Sequence, residues 1–126
     1  MYKLGSQAYE QVNLETCVSQ ASPHQLIVLL YDGALNAIKL AKLYIQKGNI
    51  AGKGMAISKA INIVDNGLKS CLDLEKGGEI AENLERLYHY ISQQLVLANL
   101  YNDQDKLQNC FDLLNNIAES WREIAK

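Results

Sequence analysis

Apolar residues recur along the chain at helical spacing in four stretches, which short polar or glycine-rich segments separate. The first stretch follows Ser22, a residue type that favours helix N-caps, and ends before Gly48, a favourable C-cap residue. The same periodicity predicts three further helices, one from about residue 49 or 53 to 74 and the others over about residues 79–101 and 104–125. Helices of similar length joined by short turns predict an all-α fold, an antiparallel up-down four-helix bundle.

A turn-like Asn-Gly pair at Gly67 interrupts the second stretch. Glycine in a helix costs up to about 1 kcal/mol relative to alanine. We nevertheless predict a continuous helix, because an apolar series keeps a spacing of four and three residues across the glycine: Ile57, Ile61, Val64, Leu68 and Cys71. Close approach of a neighbouring helix is the simpler explanation for Gly67, and contact with a partner's backbone is the alternative. The series also predicts that Cys71, like Cys110 of the fourth helix, is a small core residue.

The first helix carries two adjacent apolar stripes where most bundle helices carry one. The first stripe comprises Leu26, Leu30, Gly33, Ala37, Leu40 and Tyr44. The second, about 100° around the helix, comprises Ile27, Tyr31, Ala34, Ile38, Ala41 and Ile45. A core-facing helix needs an apolar arc only a little over 100° wide. Either the bundle and its N-terminal segment fill both stripes, or the surplus forms a groove for apolar helices of another chain. On the second interpretation the partner-binding residues are Ile27, Tyr31, Ile38, Ile61, Val64 and Leu68.

Residues 1–21 show only weak helical periodicity. We therefore predict a mobile or loosely docked segment, with a short helical or extended stretch, that acts as a lid on the bundle. Residues 22–126 form the bundle itself, and residues 1–126 form one domain.

Composition narrows the classes of function. A net charge of -2 without a dense run of Lys or Arg argues against a nucleic-acid partner. The longest apolar run, residues 26–31, is too short to cross a bilayer. Three scattered cysteines predict reduced cytosolic thiols rather than a disulfide framework. No spacing typical of a catalytic or metal site occurs, so we predict neither an enzyme nor a cofactor.

Three stretches carry a resemblance to a known family: "SPHQLIVLLYDGA" at 22–34, "KAINIVDNGLKSCLDLEKGGEIAENLERLYHYI" at 59–91 and "ANLYND" at 98–103. Together with Tyr9 and Trp121 they make the chain resemble the flagellin-specific export chaperones, the FliS family. The resemblance implies a four-helix bundle with an N-terminal segment folded over it. It also implies binding of the disordered C-terminal region of flagellin in the bacterial cytoplasm, which blocks premature filament assembly and presents flagellin to the export gate.

The resemblance adds two partner-binding residues. Tyr9 matches the tyrosine of the covering N-terminal segment, and Asn99 matches an asparagine of the third helix, where an amide beside an apolar groove can bond a ligand's backbone. The export gate and an anti-sigma factor are further candidate partners. The competing interpretation is a structural or regulatory bundle whose wide faces are satisfied internally or by self-association, without flagellin binding.

Overall fold

The computed structural model describes residues 23–125, which are almost entirely helical and contain no strand. Four helices follow one another: α1 (Pro23–Gln46), α2 (Ile50–Asn62), α3 (Leu74–Tyr101) and α4 (Gln104–Ala125). After α2 the chain continues through a π-helical turn, Ile63–Leu68, and a 3-10 turn, Lys69–Cys71. The prediction of an all-α fold is confirmed. Ser22 and the segment before it, including the predicted lid, lie outside the described residues.

Two of the three connections follow the local sequence closely. Gly48 adopts the left-handed conformation (φ +73°) that ends α1, and the Asn49 side chain caps α2 by accepting the Gly52 N–H at 2.9 Å. Asn102, also left-handed at φ 52°, ends α3. The Asp103 carboxylate then accepts the N–H groups of residues 105 and 106 at the start of α4, at 3.1 and 3.2 Å. Each connection therefore contains both a stop signal and a start signal.

The third connection differs from the prediction. The second helical stretch ends at Cys71 rather than at Leu74, because the Asp73 side chain caps a new helix by accepting the N–H groups of residues 75 and 76. Leu74 is accordingly the first residue of α3. Gly78 has non-helical angles (φ 54°, ψ -129°), so the first turn of α3 meets the main helix at a kink. The predicted start at Glu79 corresponds to the residue after this kink.

The helices pack in an up-down order. α1 lies against α2 and α4, and α3 also lies between α2 and α4. Gly67 meets Leu30 near the start of α1, whereas Gly52 meets Tyr44 near its end, so α1 and α2 run antiparallel. We call the end where α1 and α3 begin the lower end, and the opposite end the upper end.

Both apolar stripes of α1 lie mostly inside the bundle. The second stripe has fully buried members, among them Tyr31, Ile38 and Ala41. The first stripe lies over the π-helical turn, where Gly33 and Gly67 leave room for Ile63 and Leu30. A Cβ on Gly67 would stand 2.9 Å from Leu30 Cδ2. Close helix approach, the simpler explanation for this glycine, therefore accounts for it.

The π-helical turn explains a wrong prediction about Cys71. In this turn the N–H of Lys69 bonds to the carbonyl of Val64, five residues earlier. A π turn holds an additional residue, so the residues that follow it lag behind the α-helical phase. As a result Leu72 packs against the core, and Cys71 is exposed. Cys110 is buried as predicted.

Over residues 23–125, no helix combines the length and the apolar character needed to span a membrane.

Candidate functional site

An apolar cleft of about 360 Å³ opens at the lower end of the bundle, and α1, α3, α4 and the turns that follow α2 contribute to it. Ile80 on its outer wall is 73% exposed. We call this feature the lower cleft; its main apolar walls are Ile27, Leu68, Leu72, Ile80, Leu84 and Trp121. A concave apolar surface of this size accommodates a few side chains of a bound segment.

Two tyrosines form a buried polar pair behind the lower cleft. Tyr31 is fully buried, and Tyr88, 2% exposed, contributes to the lining. Their hydroxyl oxygens are 2.5 Å apart, and the rings tilt at 57° to each other. Burial is the main cause that raises the pKa of both hydroxyls above the usual tyrosine value. The pair therefore stays neutral and keeps its protons at any physiological pH.

The α4 wall of the cleft is tied to α1. His24 Nε2 donates to the Trp121 carbonyl oxygen at 2.6 Å, and the two rings lie 5.1 Å apart. Arg122, the residue after Trp121, forms an ion pair with Asp32 of α1. Partly exposed ion pairs stabilise little by themselves. The His24 hydrogen bond and this ion pair together hold α4 in the orientation that presents the Trp121 indole to the cleft.

A second apolar surface lies on the solvent side of α3. Four large side chains there are 50–68% exposed: Tyr90, Val96, Leu100 and Tyr101. We call this set the α3 outer face. It lies opposite the buried positions Ile91, Leu95 and Ala98 of the same helix. Large exposed apolar surface on a small protein commonly marks an interaction site.

The upper end of the bundle is closed by polar contacts. Lys53 is 5% exposed, and its ammonium donates to the Asn99 carbonyl at 2.8 Å and to the Asn102 side chain at 2.6 Å. A cation suits this position, because the carbonyls at a helix C-terminus carry partial negative charge. The contact joins α2 to the end of α3.

The structure distributes the predicted site residues over several places. Ile27 and Leu68 line the lower cleft, and Tyr31 lies behind it. Ile38 and Val64 are fully buried in the core. Ile61 is half-buried on α2, and Asn99 lies at the upper end. Tyr9 is outside the described residues. A partner-binding role for these residues stays a prediction.

Sequence reasoning did not select several residues that line the cleft: Leu72, Ile80, Leu84, Tyr88 and Trp121. Trp121 was visible as a large residue on the α4 stripe, but the stripe alone does not show that it ends beside an opening. The sequence could not predict Leu72 as a cleft residue, since its inward position depends on the π-helical turn. Among residues 23–125, no cluster of three His, Cys, Asp or Glu side chains could hold a metal ion.

A family model described as "Flagellar protein FliS" matches residues 5–126, nearly the whole chain. The chain belongs to the FliS family. The flagellar secretion chaperone FliS of Salmonella typhimurium is 53% identical over 121 residues, which cover 96% of this chain and 90% of that protein. The flagellar secretion chaperone FliSB of Pseudomonas aeruginosa is 43% identical over 117 residues, 93% of this chain and 92% of that protein.

The similarity to a more distant member of the family also covers most of both chains. The Bacillus subtilis flagellar secretion chaperone FliS is 28% identical over 116 residues, which span 92% of this chain and 82% of that protein. The family resemblance seen in the sequence is thereby confirmed. The chain is thus a helical bundle, and its family is that of the flagellar secretion chaperones.

Proposed function

We propose that this protein is a cytoplasmic flagellar export chaperone that binds the disordered C-terminal region of flagellin. Binding prevents premature polymerisation and aids delivery to the export gate. Family membership supports the coarser role, since the named relatives are flagellar secretion chaperones. The export gate and an anti-sigma factor are further partners within this proposal.

The lower cleft is the observation that carries the proposal. Apolar side chains of α1, α3, α4 and the turns after α2 form the cleft, so it suits an apolar peptide that folds as it binds. Such a segment wraps a large surface but loses affinity to the entropy of its own ordering. The α3 outer face adds exposed apolar area for a longer partner. A net charge of -2 fits binding driven by apolar burial rather than by charge.

Calorimetry with a C-terminal flagellin fragment tests the proposal. We expect a 1:1 complex, a negative heat-capacity change and only weak salt dependence. Salt near 0.5 M reduces the Debye length to about 4–5 Å. A hundredfold loss of affinity between low and high salt would show that charge drives the binding.

A matched pair of variants locates the interaction. Ile80 is 73% exposed in the cleft wall, and Ile124 is 72% exposed near the same end but outside the cleft lining. Ile80→Ser should weaken flagellin binding several-fold, because it removes apolar area from the contact. Ile124→Ser loses the same side chain and should bind as the parent does. Equal affinities for the two variants would contradict a role for the cleft.

The lid remains part of the proposal. α1 begins at Pro23, one turn before Ile27 in the wall of the lower cleft, and this position of the helix start supports the lid. If they only compete with flagellin, deleting residues 1–18 should tighten binding and increase self-association. If Tyr9 also contacts the bound chain, Tyr9→Ala should weaken binding. Unchanged affinity after the deletion, with equal hydrogen exchange of residues 1–18 in free and bound protein, would rule out a lid.

A further inference from the structure

The buried tyrosine pair carries one more hydroxyl proton than the hydrogen bond between its two oxygens requires. Tyr31 and Tyr88 each carry one hydroxyl proton, and their oxygens share a single contact of 2.5 Å. Only one of the two protons can lie between the oxygens. The other hydroxyl must donate to a different acceptor, since a buried donor without a partner is unfavourable.

The surroundings of the two hydroxyls determine which one donates to the other and which one keeps a proton available for another acceptor. Tyr31 is 0% exposed and does not line the lower cleft. The Trp121 indole acts to lower the Tyr31 pKa, and an indole N–H can donate but cannot accept. Tyr31 must therefore donate to Tyr88, which is its one acceptor among the described residues.

The remaining proton then belongs to Tyr88, which lines the cleft. Among residues 23–125, the Tyr88 hydroxyl has no hydrogen-bond partner other than Tyr31. Donation therefore runs from Tyr31 to Tyr88, and the second proton of the pair is left on Tyr88, whose side chain lines the cleft. Hydrogen bonds in such a chain polarise one another, so its last O–H group is a strengthened donor.

We propose that Tyr88 determines specificity in the lower cleft by donating a hydrogen bond to an acceptor oxygen of the bound segment. The inference rests on the proposed function, in which that segment is the C-terminal region of flagellin. If the segment binds as a helix, its backbone carbonyls are already bonded within the helix. The acceptor is then the side-chain oxygen of an Asn, Gln, Ser or Thr among apolar neighbours. A purely apolar segment would leave the Tyr88 proton unsatisfied and bind less well.

Calorimetry with the full chain and a C-terminal flagellin fragment tests this role. Tyr88→Phe removes the donor and keeps the ring, so affinity should fall about 5- to 10-fold, as for a lost neutral hydrogen bond. The control is Tyr44→Phe, the same substitution at the upper end of α1, where the Tyr44 ring meets Gly52 outside the cleft lining. Tyr44→Phe should leave affinity unchanged. If Tyr88→Phe lowers the unfolding temperature but not the affinity, the hydroxyl is only structural and the proposal fails.

Substitutions in the fragment give an independent readout that does not depend on the folding of a variant. Each polar residue of the fragment is replaced in turn by an apolar residue of similar shape, such as Thr by Val or Ser by Ala. One replacement should weaken binding to the parent protein about 5- to 10-fold and have no effect on Tyr88→Phe, since the two groups form one bond. Absence of any such coupled position would overturn the role of Tyr88. Absence of binding to the parent protein would instead refute the proposed function on which the inference rests.

Discussion

α1 and α3 use apolar residues in opposite ways. α1 has the wider apolar surface in sequence, yet its central residues Tyr31 and Ile38 are fully buried. On α3, Ile80, Leu100 and Tyr101 are 67–73% exposed. The width of an apolar stripe thus shows how closely a helix is surrounded by its own fold. It does not show where a partner binds.

Small residues are the physical reason for the burial of α1. Gly33 and Gly67 let α1 and the π-helical turn approach until Leu30 and Ile63 fill the space that side chains there would occupy. Close approach buries most of both stripes of α1, while Leu40 of the first stripe stays 44% exposed. α3 instead begins with a kink at Gly78 and borders the open lower cleft with Ile80, while Leu100 and Tyr101 lie on its solvent side near the upper end.

The largest effect should separate the buried residue from the exposed one. Ile38→Ala removes a fully buried side chain of α1 and should lower the free energy of unfolding by about 2–5 kcal/mol. Leu100→Ala removes a side chain of α3 that is 67% exposed and should change it by less than about 0.5 kcal/mol. Urea denaturation measures both. Similar losses for the two variants would refute the contrast between the helices.

A pair of glycines tests the close approach of α1. Gly67→Ala places a Cβ 2.9 Å from Leu30 Cδ2 and should destabilise the fold by about 1–3 kcal/mol through overpacking. The control is Gly54→Ala in α2, where a Cβ would meet no atom within 4 Å. That variant should stabilise the fold by about 0.5–1 kcal/mol, because alanine favours a helix more than glycine does. Stabilisation by both substitutions would mean that α1 does not require Gly67.

High pH should weaken the contact between α3 and α4. Burial raises the pKa of the Cys110 thiol from 9.0 to about 11. The folded state therefore holds this proton more tightly than the unfolded state. The resulting stability is fully present below pH 9 and is lost as pH rises from about 9 to 11. Thermal unfolding at several pH values should show this loss, and Cys110→Ala should reduce it; an unaltered pH profile in the variant would contradict the assignment.

The smallest effect should come from Cys71, which the π-helical turn places outside the core. Cys71→Ser should change the free energy of unfolding by less than about 0.5 kcal/mol, because the side chain is exposed. A thiol reagent should modify Cys71 in the folded protein and reach Cys110 only after unfolding. Protection of Cys71 would indicate that the helix keeps its α-helical phase beyond Gly67, whereas rapid modification of Cys110 would contradict its burial.

The sequence alone determined the helices and the class of fold. Apolar periodicity fixed four helical stretches, and local signals such as Gly48 and Asp103 stop or start helices through their own backbone and side-chain chemistry. The motifs at 22–34, 59–91 and 98–103 were enough to indicate the family, which the comparisons confirm. These features depend on residues close together in the chain.

Tertiary structure decided which apolar residues remain available. The position of Leu72 instead of Cys71 at the core depends on the π-helical turn, which packs against α1 at Gly67. The lower cleft arises because four helical ends fail to close over one another, whereas Lys53 joins α2 to α3 at the upper end. The direction of the Tyr31–Tyr88 hydrogen bond likewise depends on exposure, a property of the packed molecule. Periodicity describes one helix at a time, so it could not show any of these arrangements between helices.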